Sequence, residues 1–412
     1  MRVTQTQAHY DIVVIGGGLV GASFACMIAK RMPEVRILVT EASASVQTSS
    51  SFDDRATALS CGSQQLYQNL GLWDALKQYG TAIAHIHVSD RGHFGAVRLH
   101  AADLGVAALG HVVENQHLGV VLNAALDAAP TIDYVCPARV SALHPLPLGM
   151  QVTLSSAGAE QTPLSAGLVV LADGGKSTLT AELGIAMEVT HYEQTALIAN
   201  IAFSDPHGHV AYERFTDSGP LAVLPLASFE GENRGALVWT VPSAEASQVL
   251  ALPDAAFLHA LQERFGQRLG QFTRVGTRAL YPLSLSVAKE QVRPGLVLLG
   301  NVAHSLHPVA GQGLNLALRD AEALSLSLSQ ARRDGLPLGA MSVLQCYQER
   351  QGRDQALTIY FSHNMTRLFS SQHPALVWAR KCGLFSIDLV PPLKRGFARQ
   401  AMGLGGRKQR SA

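Results

Sequence analysis

The sequence predicts an α/β fold: a parallel sheet flanked by helices, interrupted by an antiparallel sheet and followed by a helical C-terminal segment. Three observations predict it. Residues 11–41 read as strand, glycine turn, helix, strand and acid. Residues 195–241 hold short β-prone runs separated by turn residues, with no helical periodicity between them. A buried apolar strand and a second glycine-rich turn return at 295–313, ahead of a long helical stretch.

The first segment is the most specific. Asp11-Ile-Val-Val-Ile15 is apolar on both strand faces, as a buried parallel strand requires. Gly16, Gly18 and Gly21 then fit G-x-G-x-x-G, and Glu41 lies twenty residues past Gly21. Gly16 permits the tight turn, Gly18 lets a pyrophosphate approach the backbone, and Gly21 lets the helix pack close to the sheet. The helix start offers unpaired N–H groups and a positive dipole end to phosphates. Glu41 can accept from ribose hydroxyls, and its charge repels a 2′-phosphate. This Rossmann-like arrangement binds the ADP half of a dinucleotide and favours FAD or NAD over NADP.

Length and composition narrow the class. The 412 residues suggest two or three domains. Charged residues make up 15% of the chain, against about 25% in typical domains, and mean hydropathy is positive. A protein that handles a greasy ligand or touches a membrane has such a surface. No run of 18 apolar residues exists to span a bilayer. Residues 1–9 are polar and lack the apolar core of a secretory signal, so the expected location is cytoplasmic, with peripheral contact at the inner membrane face as the alternative. A net charge of +1, from 32 basic and 31 acidic residues, excludes a nucleic-acid binder. The basic bias at Lys394, Arg395, Arg399, Arg407, Lys408 and Arg410 reads as a solvated tail or a membrane-surface contact. Cys26, Cys61, Cys136, Cys346 and Cys382 form no C-x-x-C, and no histidine pair has an acid or cysteine at ligand spacing, so no metal site is expected.

The remaining elements follow in order. A helix carrying Asp53-Asp54-Arg55 closes the first βαβ unit, and 81–107 is a short β-prone excursion. A strand ends near Glu114-Asn115, and a helix follows through Leu118, Val121, Leu122 and Leu126. Strands in 131–172 end in Asp173-Gly174. Strands near 196–203, 209–215, 220–226 and 236–241 precede a helix that begins at Pro253-Asp254. After the turn at 300–313, Leu314, Leu318, Ala321, Leu324 and Leu328 share one helix face. Residues 340–392 read mostly as helix, interrupted by Pro374 and stopped by Pro391-Pro392. The expected division is one discontinuous domain (10–80, 108–184 and 278–345), a β-sheet substrate domain (81–107 and 185–277) and a helical segment with a basic tail (346–412).

The run from Gly300-Asn301-Val-Ala-His304 through His307-Pro308-Val-Ala-Gly311-Gln312-Gly313-Leu314-Asn315 to Asp320 is the least ordinary part of the chain. Together with the first glycine turn and Asp173-Gly174, it resembles the single-component FAD-dependent aromatic hydroxylases, the para-hydroxybenzoate hydroxylase family. Within that family it is similar to the ubiquinone-biosynthesis hydroxylases, over nearly the whole chain. The resemblance implies a glutathione-reductase-type FAD domain with an inserted substrate sheet. It implies that Gly16, Gly18, Gly21 and Glu41 hold the ADP of FAD, with Arg55 near the flavin or the pyrophosphate. Asn115 then touches the cofactor, and the Val140 backbone meets adenine. Asp173 and Gly174 form a second fingerprint linked to FAD and NAD(P)H. Asn301 stands where a ribityl-binding Asp is usual, and Pro308, Gly311, Gly313, Leu314 and Asn315 line the isoalloxazine. Besides Asn301, the chain departs from the family at Thr180, where an arginine is common, and at Ala317, where a glycine is expected.

The implied activity is monooxygenation. NAD(P)H reduces the flavin, O₂ adds at C4a, and the hydroperoxide delivers OH to a polyprenylated phenol. The phenolate is the better nucleophile, but no base is assigned. His307 is a candidate by location alone, against a structural histidine in a turn. Other readings stay open: an FAD-dependent reductase or oxidase of the same fold, or a non-catalytic FAD-binding member of a quinone-biosynthesis complex. Contacts with other enzymes of that pathway and a homo-oligomeric state are also left open, as are ring position, tail length and the choice of NADH or NADPH.

Overall fold

The computed structural model describes residues 9–43, 52, 55–91, 96–156, 159–160, 163–216, 219–307, 311–370 and a few positions between 392 and 403. Pro308, Asp53, Asp54, Cys382 and nearly all of the basic C-terminal tail lie outside these residues.

Five parallel strands form the centre of the first sheet. Strand His9–Ile15 lies between Ile37–Thr40 and Leu164–Leu171; Ile132–Val135 and Leu296–Leu298 flank them. Both faces are covered, which explains the unbroken apolar run. Ile12 and Val14 join a core with the helices, while Val13 and Ile15 join a second core beneath an antiparallel meander. That meander comprises Arg139–Leu146, Gly149–Ser156 and Ala159–Glu160. Helix Leu19–Arg31 starts directly after Gly18, buries Gly21 through Ile28, and ends with Lys30 and Arg31 at its negative dipole end.

The second large sheet runs in the order His304–Ser305, Ala279–Ala288, Met187–Phe203, Glu232–Pro242, Gly219–Phe229, Val210–Thr216, His85–Asp90, Ala96–His100. It is antiparallel except where Val210–Thr216 meets His85–Asp90, two segments that come from distant parts of the chain. Strand Ala279–Ala288 belongs to this sheet, just past the boundary read from the sequence. Helices Ser243–Leu250 and Asp254–Phe265 cover one face, with Phe257, Leu261 and Phe265 packed on Trp239 and Leu237.

One expectation is overturned. Arg55 does not sit in a helix: it precedes the strand Ala56–Ser60, and the helix begins only at Cys61. Ala56–Ser60 pairs antiparallel with Gly110–Glu114, which also pairs with Gly80–Ile83 in a small third sheet. The long-range partner strand overrides the local pattern there. At the other end, helix Met341–Ser370 accounts for the first part of the helical stretch read from 340 to 392.

Candidate active site

A cleft of about 560 Å³ opens at the C-terminal ends of the parallel strands, where open α/β sheets bind ligands. The first glycine turn and the second, nearly three hundred residues later, line the same cleft. Gly16, Gly18, Leu19 and Val20 line it together with Gly300, Asn301, Leu314 and Ala317. Glu41, Asn115, Val140, Asp173 and Gly174 also line it. Gly21, Arg55, His307, Gly311, Gly313 and Asn315 are not among the lining residues.

The glycine turn separates two physical demands. Gly16 has φ +103°, and a Cβ there would lie 2.5 Å from Ala172 O. A Cβ at Gly21 would lie 2.0 Å from Gly16 O, so this position serves helix–strand packing. A Cβ at Gly18 would meet no protein atom within 4 Å, although Gly18 borders the cleft. No neighbour in the protein therefore demands glycine at 18. A ligand pressed against that backbone would, so the cradle fits a dinucleotide pyrophosphate at the helix start.

The carboxylates are held in place. Glu41 accepts from Gly17 N–H and Ser43 N–H, each at 2.9 Å, and each oxygen keeps a further lone pair. Asp173 accepts from Gly175 N–H at 2.9 Å and Ser177 N–H at 3.0 Å. That turn carries Lys176 to the cleft wall, where Arg139 is the second cation. Sequence reading missed both. Asn115 accepts from Thr57 Oγ1 at 2.6 Å, and its N–H donates to Arg55 O at 2.7 Å. The Arg55 side chain itself donates to Tyr281 Oη and is exposed.

Asn315 works as a clamp. Its Oδ1 accepts from Ser60 N–H (2.8 Å) and Ser63 Oγ (2.7 Å), while Nδ2 donates to Ala58 O (2.9 Å) and Gly311 O (2.7 Å). All four bonds of the amide are thereby used. It fixes the start of helix Gln312–Arg333, capped by Gly311 at φ +59°, against strand Ala56–Ser60. Further back, His304 Nε2 and Asp320 Oδ2 lie 2.5 Å apart in full burial, which ties the second turn to the same helix. A spacing of sixteen residues carries no periodic signal that would have revealed this pair.

His307 is 1% exposed, and neither ring nitrogen has a hydrogen-bond partner among the described residues. Its ring meets Tyr192 edge-on at 5.4 Å, and Tyr192 Oη bonds His363 Nδ1 at 2.9 Å. Burial alone lowers the His307 pKa to about 4, so the imidazole is neutral near pH 7.

Comparison with known proteins agrees with this geometry. Residues 9–351 match the FAD binding domain family. Ubiquinone hydroxylase UbiL of Rhodospirillum rubrum is 36% identical over 95% of this chain and 89% of its own length. The 3-demethoxyubiquinol 3-hydroxylase of Escherichia coli is 31% identical, covering 97% of this chain and all of that one. The fold is shared with p-nitrophenol 4-monooxygenase PnpA from Pseudomonas putida, at a TM-score of 0.79 and 20% identity over 98% of this chain and all of that one. A nucleotide cleft closed by two distant glycine turns, a family match over most of the chain and relatives of this identity lead to one conclusion: the chain belongs to the FAD-dependent monooxygenase family that includes these ubiquinone hydroxylases.

Proposed function

We propose that the protein hydroxylates the aromatic ring of a polyprenylated phenol in ubiquinone biosynthesis, with NAD(P)H and O₂ as co-substrates. The observation that supports this reading is that Gly16 and Gly18 line the same cleft as Gly300, Asn301, Leu314 and Ala317. Segments 87–93, 110–115 and 214–226 resemble 2-octaprenyl-6-methoxyphenol hydroxylase, which favours a prenylated methoxyphenol-type ring.

FAD, when bound, supplies the redox and oxygen-activating chemistry. The chain's residues bind, orient and seal. Gly16, Gly18 and the first turn of helix Leu19–Arg31, which Gly21 lets pack close to the strand, would hold the pyrophosphate, Glu41 a ribose, the Val140 backbone adenine, and Asp173, Gly174, Asn115 and Asn301 the span between. Asn301 replaces a carboxylate yet still accepts through its amide oxygen. Arg55, tethered to Tyr281 of the large sheet, stands at the joint between that sheet and the cleft. Leu314 lines the wall on which the ring would rest, and Asn315, behind that wall, holds the helix start at Gly311 in place. His307 is a poor base for a phenol proton, because burial disfavours its charged form and it does not line the cleft.

The test is turnover of purified yellow protein with a prenylated methoxyphenol, NAD(P)H and O₂, read by mass spectrometry. The expected result is a product heavier by one oxygen. NAD(P)H oxidation that yields peroxide with every prenylated phenol tried would overturn the reading.

A further inference from the structure

Two late pieces of chain line the cleft. Gly300 and Asn301 come from the short turn after strand Leu296–Leu298, and Leu314 and Ala317 from the first turns of helix Gln312–Arg333. Each piece is held to neighbours of its own. Leu299 N–H donates to Leu171 O at 2.9 Å and Ala288 N–H to Ala303 O at 2.8 Å, while His304–Ser305 pairs with Ser286–Val287, so the turn follows the two large sheets. The helix start follows strand Ala56–Ser60 through Asn315. Neither set of bonds joins the turn to the helix. His304 and Asp320 do. His304 lies three residues past Asn301, and Asp320 lies three past Ala317, one helical turn further on. Their Nε2 and Oδ2 atoms meet at 2.5 Å.

As a stabiliser this bond is a poor choice. Both side chains are buried, and His304 Nδ1 and Asp320 Oδ1 have no hydrogen-bond partner among the described residues. Taking two such groups out of water costs about what their attraction returns, and an apolar pair of like volume often holds a core as well. Asp320 has no other ion-pair partner among the described residues. Arg319 beside it is committed to Asp354 at 2.7 Å and to Thr358 Oγ1 at 3.2 Å. The Tyr347 phenol is held well above its ordinary pKa by burial first and then by Asp320, so it stays neutral. What the bond offers over an apolar contact is direction. Methyl groups slide past one another, whereas a ring N–H aimed at one carboxylate oxygen fixes an angle and a distance.

We propose that the His304–Asp320 bond is a positioning device for the cofactor: it sets where Asn301 stands relative to Leu314 and Ala317, and thereby how tightly FAD is held. Neither His304 nor Asp320 lines the cleft, so the pair acts through Asn301, which does. This role rests on the cofactor placement given above and not on the phenol hydroxylation.

The test is titration of the full-length apoprotein with FAD, followed by flavin fluorescence, which needs no turnover. H304L/D320L leaves no charge unpaired, so its apo form should melt within a few degrees of the wild type. It should nevertheless bind FAD about tenfold or more weakly. H304Q, whose amide N–H donates from the place of Nε2, should stay within about threefold of the wild type. Asn301→Ala should cost less FAD affinity in the H304L/D320L background than alone, because the loosened turn no longer presents Asn301. Wild-type FAD affinity in H304L/D320L, H304Q as weak as that double variant, or equal losses from Asn301→Ala in both backgrounds overturns the proposal. Should H304L/D320L not fold, H304L/D320N, which also leaves no charge unpaired, takes its place with the same expectations. A wild type that takes up FAD yet hydroxylates no phenol strikes the reaction proposed above, not this role.

Discussion

Arg234 Nη2 lies 2.6 Å from Glu114 Oε1, and both side chains are buried. This ion pair joins the large sheet to the wall of the nucleotide cleft. Arg234 also donates from Nη1 to Phe52 O (3.3 Å) and from Nε to Ala227 O (3.2 Å), and Phe52 O accepts a second bond from Asn200. Glu114 directly precedes the cleft residue Asn115, so the position of the sheet is transmitted to the cleft wall through one carboxylate. Breaking a buried pair leaves a charge uncompensated. Arg234→Met should cost about 3–5 kcal/mol in urea unfolding, and adding Glu114→Gln should recover part of it. Additive losses in the double-mutant cycle would contradict the pairing.

Gly18 and Gly21 belong to one motif but should fail differently. A Cβ at position 18 meets no protein atom, so Gly18→Val should fold and melt like the FAD-free wild type, yet purify colourless. A yellow variant at full stoichiometry would refute the placement of the pyrophosphate. Gly21→Ala forces a methyl to 2.0 Å from Gly16 O and should lower stability by about 3 kcal/mol.

Asn315 gives a third prediction. Asn315→Ala leaves Ser60 N–H without its side-chain acceptor, takes one bond from Ala58 O and from Gly311 O, and removes the acceptor for Ser63, which should cost about 2–4 kcal/mol. Asn315→Asp should fare little better, because it loses both donors. If Asn315→Ala melts like the wild type, the amide is not the clamp.

His307 predicts an acid limb of stability. Its pKa is about 4 when folded and about 6.5 when unfolded, so between these values the unfolded chain binds a proton that the folded one does not. Stability should therefore fall as pH drops from about 6.5 to 4. His307→Gln should remove up to one proton from that slope, about 1.4 kcal/mol per pH unit. Unfolding free energies of wild type and variant, measured across this range, decide it; parallel curves would exclude a buried neutral imidazole.

The sequence by itself determined the parts whose information is local. A glycine turn between an apolar strand and a helix is dictated by backbone sterics and close packing, so Gly16, Gly18, Gly21 and Glu41 were legible without coordinates. The runs at 196–241 were legible by their turn residues, and the helix after 313 by its apolar stripe. The tertiary structure alone decided what meets across long separations. Strand Ala56–Ser60 was misread because its partner, Gly110–Glu114, lies some fifty residues away. The Asn315 clamp, the His304–Asp320 pair, the Arg234–Glu114 joint and the arrival of Lys176 and Arg139 at the cleft are of the same kind. Each depends on side chains brought together by sheet register and burial, and no periodicity along the chain records such a meeting.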